Sequence, residues 1–285
     1  MPPPYVPLNA LLRNYLAVAT YTGRRYTHNV PRTLPIFTVE GKTCVVTGAS
    51  QGLGSQILAA LALSGAKGAV VDLSKAAADS AVNDLKKEEK NAGLDWPDIR
   101  GYECDTSSEE LVSKTWNQIV EDFGQVDVLV TNAGLAAGAA AETYDLDNWK
   151  KVLEVNVNGK FLFARAAGKH MIDQKIKGNI IMVSSMSGSI VNRPQKQSAH
   201  NVSKAGVSHM MRSFATEWGE YGIRVNALSP GYIQTAKTEG EEMEQLSKQW
   251  LGMIPLHRIA KPEEFRGTVV WMASDASYVV WTFNC

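Results

Sequence analysis

From residue 41 onward, short runs rich in Val and Ile alternate with longer segments of helical periodicity, and this alternation constrains the fold more than any other feature. The runs lack strict apolar/polar alternation, which is typical of strands buried on both faces of a parallel sheet. Six such repeats predict a doubly wound parallel sheet with helices on both faces, a three-layer α/β/α domain. The predicted strands are residues 43–47, 68–72, 99–104, 126–131, 179–184 and 223–228. The predicted helices are residues 54–64, 75–91, 108–123, 146–174, 198–221, 239–251 and 262–274.

The first 39 residues differ in charge from the rest of the chain. They carry four arginines and no acidic residue, whereas the remainder carries 25 basic and 29 acidic residues. No linker, repeat or low-complexity segment follows, so we expect a basic extension over residues 1–39 and a single domain over residues 40–285. An acid-free, Arg-bearing leader resembles a mitochondrial presequence, but this one lacks Ser and begins with clustered prolines. We therefore favour a retained extension on a cytoplasmic protein, with mitochondrial import as the alternative.

Composition excludes several classes of protein. The chain has 29 basic and 29 acidic residues and is 45% hydrophobic, so we expect neither disorder nor a positive surface for nucleic acid. It contains no apolar run of the ~18 residues that a membrane span needs. The three cysteines, Cys44, Cys104 and Cys285, are odd in number and lack metal-ligand spacing. They indicate a reducing compartment and no metal site.

A glycine-rich turn at residues 47–54 joins the first predicted strand to the first helix. Glycines at such a place let the backbone turn tightly and approach a pyrophosphate, which the following helix N-terminus attracts. Its position at the start of the β/α series therefore predicts a dinucleotide-binding fold of the Rossmann type, with a turn of packing glycines as the alternative. The candidate cofactor-binding residues here are Gly48, Ser50, Gly52, Leu53 and Gly54.

Asp72 ends the second predicted strand, 18 residues after Gly54. A carboxylate there can accept hydrogen bonds from the adenosine ribose, and it repels a 2′-phosphate. The charge therefore favours NAD(H) over NADP(H), without excluding the latter. A helix N-cap is the competing role for Asp72, since Asp is a preferred cap.

The turn at residues 47–54 has the TGxxxGxG spacing and resembles that of the short-chain dehydrogenase/reductase family. Further residues match family motifs in order over about residues 40–280. The resemblance implies that Asp105 contacts adenine, that Asn132 and Gly134 line the cofactor, and that Ile233 and Thr235 contact its nicotinamide end. It also implies that Asn156, Ser185 and Lys204 belong to the active site. Residues 185–195 resemble fungal sorbose- and mannitol-type reductases within the family.

His200 departs from the family's Tyr-x-x-x-Lys motif, because it occupies the tyrosine position four residues before Lys204. That spacing keeps both side chains on one face of a helix. A neighbouring ammonium disfavours an imidazolium, so we expect a neutral His200 that accepts protons and donates them poorly. The imidazole is also shorter than a tyrosine side chain, and a bridging water could span the gap.

Three functions remain open for this site. The favoured one is an NAD(P)(H)-dependent oxidoreductase that interconverts a ketone and a secondary alcohol on a small polyol or secondary-metabolite substrate, with His200 as an atypical acid/base residue. A non-redox isomerase, dehydratase or cyclase with His200 as its base is the second. A catalytically inactive cofactor-binding or interaction protein is the third. Ser185 and Lys204 also have simpler interpretations, as a strand-end serine and a solvated helix lysine.

The segment at residues 232–255 follows the sixth strand, where doubly wound folds place their ligand crevice. Its apolar residues at helical spacing predict either a mobile cover over a mainly apolar substrate or an ordinary packed helix. The family closes with a seventh strand, whereas residues 276–285 stop where that strand should begin, leaving at most a short edge strand at 279–283. We expect this short end to weaken homo-oligomer formation without excluding it.

Overall fold

A six-stranded, all-parallel sheet forms the centre of the domain in a computed structural model, which describes residues 34–92, 97–234 and 241–280. The strand order is β3-β2-β1-β4-β5-β6. Chain order therefore reverses between β1 and β4, which is where open α/β sheets form a ligand crevice. The strands are β1 Thr43–Thr47, β2 Lys67–Asp72, β3 Ile99–Glu103, β4 Val128–Thr131, β5 Asn179–Val183 and β6 Arg224–Leu228.

Helices connect the strands, and their bounds lie close to those predicted from periodicity. They are α1 Gly52–Leu63, α2 Lys75–Ala92, α3 Glu109–Phe123, α4 Leu146–Leu153, α5 Gly159–Asp173, α6 Ser198–Trp218, α7 Glu241–Met253 and α8 Arg266–Ala273. None of the helices in the described part of the chain is long and apolar enough to cross a membrane.

The predicted helix over residues 146–174 is wrong in one respect, because it is interrupted. Residues Glu154–Asn158 form a π-helical turn between α4 and α5. The side chain of Asn156 is fully buried there and hydrogen-bonds to the backbone of Leu135, far away in sequence. A π turn inserts one extra residue and re-aims a side chain, often at a functional site. The interruption thus turns Asn156 toward the carboxyl edge of the sheet.

Two apolar clusters cover the two faces of the sheet and confirm the three-layer prediction. On one face α1, α2 and α8 pack against strand residues such as Val46 and Val130. On the other, α3, α5 and α6 pack against residues such as Val45 and Leu129. Every residue of β1 is buried, as expected of a strand covered on both faces.

The described cysteines, Cys44 and Cys104, are buried free thiols in these two clusters. Burial raises the pKa of both thiols, so each stays protonated and behaves as a small apolar side chain. Cys285 and residues 1–33 lie outside the described residues.

The end of the described chain is fastened to β6 by side chains and not by strand pairing. Residues 279 and 280 are not in a strand, and residues 281–283 of the predicted edge strand lie outside the described part. Arg224 on β6 donates to the carbonyl oxygens of Met272 at 2.9 Å and Val280 at 3.2 Å, and to Ser277 Oγ at 3.0 Å. Asn226 Nδ2 also donates to the Val280 carbonyl oxygen, at 3.0 Å.

Candidate active site

The turn between β1 and α1 is shaped by glycines at the positions that the sequence singles out. Gly48 and Gly52 have positive φ angles of 64° and 60°, which favour glycine. A Cβ atom on Gly54 would lie 2.2 Å from the Gly48 carbonyl oxygen, and one on Gly48 would lie 2.8 Å from the Ala133 Cα. The close packing of this turn therefore requires glycine at positions 48 and 54. This agrees with the alternative prediction of a turn whose glycines serve packing.

The N-terminus of α1 points out of this turn with unpaired donors. The first N–H groups of an α-helix have no intrahelical partner, and Gln51 at the N-cap makes no side-chain hydrogen bond to them. Gly52 and Leu53 are the first helical residues. Donors and helix dipole together suit a pyrophosphate, so the turn fits a dinucleotide.

Asp72 lies at the end of β2 and is tied to the glycine turn. Its Oδ2 accepts the Ser50 N–H at 3.0 Å, and its Oδ1 accepts the Leu73 N–H at 2.8 Å. Ser74, and not Asp72, caps α2, because Ser74 Oγ accepts the Ala77 N–H at 3.3 Å. The carboxylate is therefore fixed beside the turn and remains available to a ribose.

Asp105 and Asn132 are both held by local hydrogen bonds at the same edge. One oxygen of Asp105 accepts the N–H of Ser107 at 2.9 Å and its hydroxyl at 2.6 Å. Asn132 Nδ2 donates to the carbonyl oxygens of Thr47 at 3.0 Å and Gly48 at 2.9 Å. Asn132 thus joins β4 to the glycine turn and braces the crevice.

Gly134 lies between two of the predicted catalytic side chains. A Cβ atom there would lie 3.1 Å from Asn156 Oδ1 and 3.8 Å from Lys204 Nζ. The structure therefore brings Gly134, Asn156 and Lys204 together at the edge of the sheet, as the family motifs imply.

Asn156 binds the backbone of Leu135 with both ends of its amide. Its Oδ1 accepts the Leu135 N–H at 2.7 Å, and its Nδ2 donates to the Leu135 carbonyl oxygen at 2.8 Å. Nδ2 also donates to Ser203 Oγ on α6 at 2.9 Å. This fully buried amide couples the loop after β4 to the helix that carries His200.

Ser185 follows β5 and begins a short 3₁₀ turn. Its Oγ accepts the Ser187 N–H at 3.1 Å. The next residue, Met186, donates its N–H to the Pro230 carbonyl oxygen at 3.0 Å, which fixes the loop against the segment after β6. A hydroxyl that accepts one local bond can still donate its own proton, so the strand-end role and a substrate-binding role coexist.

His200 and Lys204 lie one turn apart on α6 and contact different backbone carbonyls. His200 Nδ1 lies 3.4 Å from the Leu135 carbonyl oxygen, and Lys204 Nζ donates to the Val183 carbonyl oxygen at 3.1 Å. A carbonyl can only accept, so this contact favours the tautomer with the proton on Nδ1. That tautomer leaves a lone pair on Nε2.

Burial sets the charge of both groups. Desolvation, reinforced by the positive charge of Lys204, lowers the pKa of His200 to about 4, against the smaller opposing effect of the Leu135 carbonyl. Desolvation also lowers the pKa of Lys204 to about 8. His200 is therefore a neutral proton acceptor at neutral pH, as its neighbours predict.

Lys160 has no place in the predicted site, yet it lies beneath it. Its side chain is 2% exposed, and Nζ donates to the Thr131 carbonyl oxygen at the end of β4. Burial, with a smaller contribution from Lys204, lowers the pKa of Lys160 well below its ordinary value. The one sequence signal for it is the spacing of four from Asn156, which places both on one side of the helical segment.

The segment after β6 forms one wall of a cleft. Tyr232 stacks on Trp250 of α7, with ring centroids 4.0 Å apart, so the predicted cover is a packed helix in this structure. Ile233 pairs with Ala260 in an isolated parallel bridge, and Thr235 lies outside the described residues. The cleft has a volume of about 560 Å³, and its lining includes Met186, the residue that follows Ser185.

Within the described ranges, no group of three His, Cys, Asp or Glu side chains could hold a metal ion. The geometry instead combines a glycine turn suited to a dinucleotide with the asparagines Asn132 and Asn156. The His-x-x-x-Lys pair, His200 and Lys204, lies at the same edge of the sheet. A family model described as Enoyl-(Acyl carrier protein) reductase matches residues 48–282. The chain belongs to the short-chain dehydrogenase/reductase family.

Relatives from this family cover most of the chain. It is 36% identical over 255 residues to D-arabinitol 2-dehydrogenase [ribulose-forming] of Scheffersomyces stipitis, which covers 86% of this chain and 91% of the relative. It is 36% identical over 244 residues to NADP-dependent mannitol dehydrogenase of Alternaria alternata, covering 85% and 89%. A crystal structure of NAD⁺-bound xylitol dehydrogenase superposes with a TM-score of 0.76 at 30% identity, covering 86% of this chain and 97% of the other. These matches place the chain among enzymes of the short-chain dehydrogenase/reductase type.

Proposed function

We propose that this protein is an NAD(P)(H)-dependent oxidoreductase that interconverts a ketone and a secondary alcohol on a small polyol or secondary-metabolite substrate. The observation that carries the proposal is the convergence of Ser185, His200 and Lys204 at the same sheet edge as the glycine turn. The names of the relatives support a nicotinamide cofactor and are divided between NAD⁺ and NADP.

The residues that would hold the dinucleotide follow the edge of the sheet. A bound nicotinamide cofactor supplies or accepts the hydride. The α1 N-terminus with Gly52 and Leu53 would bind the pyrophosphate, and Asp72 would accept hydrogen bonds from the adenosine ribose. Asp72 is the reason to propose NAD(H) as the preferred form, because its carboxylate repels a 2′-phosphate. The remaining proposed contacts are Gly48, Ser50, Gly54, Asp105, Asn132, Gly134, Ile233 and Thr235.

The catalytic roles follow from which groups can donate and which can accept. Ser185 Oγ keeps its own proton to donate to the substrate oxygen. His200 Nε2, with the lone pair that its Leu135 contact leaves, accepts the proton of an alcohol directly or through a water. Lys204 is held by Val183 on the side of the crevice where Gly134 lies, a position suited to the nicotinamide ribose. Asn156 positions α6 through Ser203.

The neutral imidazole of His200 limits proton donation to the substrate. With a pKa of about 4, His200 is ready to take a proton from an alcohol and seldom carries one to give to a forming alkoxide. Because a well-placed general acid is typically worth ~10²–10⁴-fold, ketone reduction should be slower than with a tyrosine at this position. Alcohol oxidation should be slowed with it, since a catalyst leaves the equilibrium between the two directions unchanged.

The same neutral base favours one second candidate, proton abstraction next to a carbonyl without hydride transfer. In an isomerase reaction of this kind the base returns its proton to another carbon, and in a dehydratase or cyclase reaction it passes the proton on to the departing hydroxyl group or to the newly formed oxygen anion. The inactive scaffold is the third possibility, and no contact in the site favours it.

One set of variants separates these functions. Purified parent, His200→Tyr and His200→Ala proteins are titrated with NADH and NADPH, then assayed with ketoses, polyols and apolar ketones. We expect NADH binding in all three and faster ketone reduction in His200→Tyr. His209→Tyr, on the exposed face of the same helix, is the matched control and should leave the rates unchanged.

Two results would contradict the redox proposal. A product formed by the parent without consumption of NADH, and lost in His200→Ala, would establish the non-redox reaction. Absence of cofactor binding and of turnover in parent and His200→Tyr alike would establish the inactive protein.

A further inference from the structure

The cleft whose lining includes Met186, the residue after Ser185, has apolar walls. Its two sides are the loop after β5 and the segment from the end of α7 to Ala260. Both rims carry exposed aliphatic side chains: Ile190 is 59% exposed and Val191 77% on one rim, and Leu256 is 75% exposed on the other. The complete apolar lining is Met186, Ile190, Val191, Gly231, Met253, Ile254, Pro255, Leu256 and Ala260. Exposed apolar walls of this kind mark a surface that an apolar ligand can cover.

Most polar side chains in the cleft already have partners. The guanidinium of Arg258 donates two hydrogen bonds to the carboxylate of Glu264, at 2.6 and 2.7 Å. The Tyr232 hydroxyl lies 3.4 Å from the amide of Gln195. Asn192 donates through Nδ2 to Ser187 Oγ at 3.0 Å and keeps one buried oxygen, Oδ1, without a partner among the described residues. The cleft therefore offers few hydrogen bonds to a ligand.

Arg193 is the exception. It is exposed at the rim beside Val191, and it makes no ion pair or hydrogen bond with any described residue. Since Arg258 is paired with Glu264, Arg193 is the cationic side chain of the cleft lining that has no ion pair among the described residues. A planar guanidinium binds a carboxylate with paired hydrogen bonds.

From this lining, and resting on the proposed function, we infer that the substrate is an oxo acid or hydroxy acid. It carries the reacting carbonyl or hydroxyl on an apolar chain, with a distal carboxylate that binds Arg193. A free polyol fits less well, because each buried hydroxyl without a partner costs about 1–3 kcal/mol. Among the described side chains of the lining, Asn192 Oδ1 is one oxygen without a partner, which is fewer than the several hydroxyls of a sugar alcohol need, so within the proposed function we favour the substrate with an apolar chain.

Equilibrium binding tests this inference without requiring turnover. Calorimetric titrations on the full-length protein with NADH present compare 8-oxononanoate, its methyl ester and fructose. We expect the oxo acid to bind about 3- to 10-fold more tightly than the ester at low salt, with the preference reduced by salt, because Arg193 is exposed. Fructose should bind more weakly than either.

Variants assign the preference to the cleft. Arg193→Gln should bring the acid and the ester to within about twofold of each other, since only the charge is lost. Arg212→Gln removes one exposed positive charge from α6, twelve residues beyond His200, and should keep the preference. Leu256→Ser should weaken the acid and the ester together, because it makes the apolar wall polar.

The outcomes also separate this inference from the redox proposal. A preference for the oxo acid over its ester that Arg193→Gln removes supports the substrate class, even if no NADH is oxidised and the redox proposal fails. Turnover of fructose with no binding of the oxo acid overturns the substrate class and leaves the redox proposal intact. An acid preference that survives Arg193→Gln overturns the role of Arg193.

Discussion

The imidazole of His200 lies 3.4 Å from the carbonyl oxygen of Leu135, the same oxygen that Asn156 Nδ2 reaches at 2.8 Å. One backbone carbonyl oxygen is thus contacted by Asn156, which matches the family's asparagine, and by His200, which occupies the position of the family's tyrosine. The consequence is a defined orientation, with Nδ1–H toward the backbone and Nε2 free to accept a proton. His200 is placed to accept a proton, and of the tyrosine's two roles the substitution preserves proton acceptance better than proton donation.

The pH dependence of alcohol oxidation should report the pKa of His200. Since the neutral imidazole is the acceptor, kcat/KM should be level between about pH 5 and 7, below the pKa of Lys204, and fall as the pH decreases through the His200 pKa of about 4. An unperturbed histidine would lose activity near pH 6.5. Initial rates of NAD⁺ reduction between about pH 4 and 8 measure the midpoint. A midpoint near 6.5, or a profile that changes in His209→Ala, would contradict the assignment.

Removing the charge of Asp72 should shift cofactor preference. Asp72→Asn keeps one oxygen acceptor for Ser50 or Leu73 but no longer repels a 2′-phosphate. Two charges about 4 Å apart repel by ~1 kcal/mol even in water, so the NADPH to NADH affinity ratio should rise at least about fivefold. Titrations followed by cofactor fluorescence measure both affinities. Asp79→Asn on the exposed side of α2 is the control, and equal ratios in parent and Asp72→Asn would refute the role.

Truncating Asn156 should destabilise the whole domain. Asn156→Ala leaves the N–H of Leu135 without its acceptor and removes the link to Ser203, all in a buried place. We expect a loss of about 2–4 kcal/mol in the free energy of unfolding, measured by urea denaturation. Asn148→Ala, at an exposed position of α4, should change it by less than about 0.5 kcal/mol. Similar losses in both variants would show that the buried amide is not a structural link.

Replacing Lys160 should stabilise the protein in a pH-dependent way. Burial lowers the pKa of the folded amine, whereas the unfolded chain has the ordinary value of about 10.4, so at any pH between the two values unfolding takes up a proton. Stability of the parent therefore rises with pH toward about 10.4 on account of this group. Lys160→Met should gain about 1–3 kcal/mol near pH 7, and the gain should shrink as the pH approaches 10.

Urea denaturation at a series of pH values measures this difference for Lys160→Met. Lys169→Met is the matched control, because Lys169 is exposed on the same helix and pairs with Asp173 at 2.7 Å. Its stability difference should be within about 0.5 kcal/mol and not follow the same trend. A destabilised Lys160→Met at every pH would show that the bond to Thr131 outweighs the burial of the amine.

The regular part of the fold was predictable because its causes are local. Strands buried on both faces must be apolar throughout, so runs such as Val45 and Val46 identify them directly. The glycine turn was predictable because a positive φ at Gly48 and close packing at Gly54 both demand glycine.

The rest depends on contacts between distant segments. The π turn exists where Asn156 meets Leu135, and no helical periodicity encodes that meeting. In the sequence Lys160 resembles an ordinary helix lysine. Its burial results from β4 and α6, which lie beside it only in the folded protein. That Arg193 lacks an ion pair among the described residues, whereas Arg258 is paired with Glu264, is visible only in the folded structure.

Arg224 holds the last described residues through neutral acceptors, three backbone carbonyls and a serine hydroxyl among them. Because most of these acceptors are backbone oxygens, the contacts of the Arg224 guanidinium depend on the course of the main chain more than on the identity of the side chains. Apart from Ser277, side chains on the terminal segment can therefore change widely without loosening it, provided that the backbone keeps its course. The reverse does not hold, since no shorter or uncharged side chain at position 224 could reach the same set of oxygens.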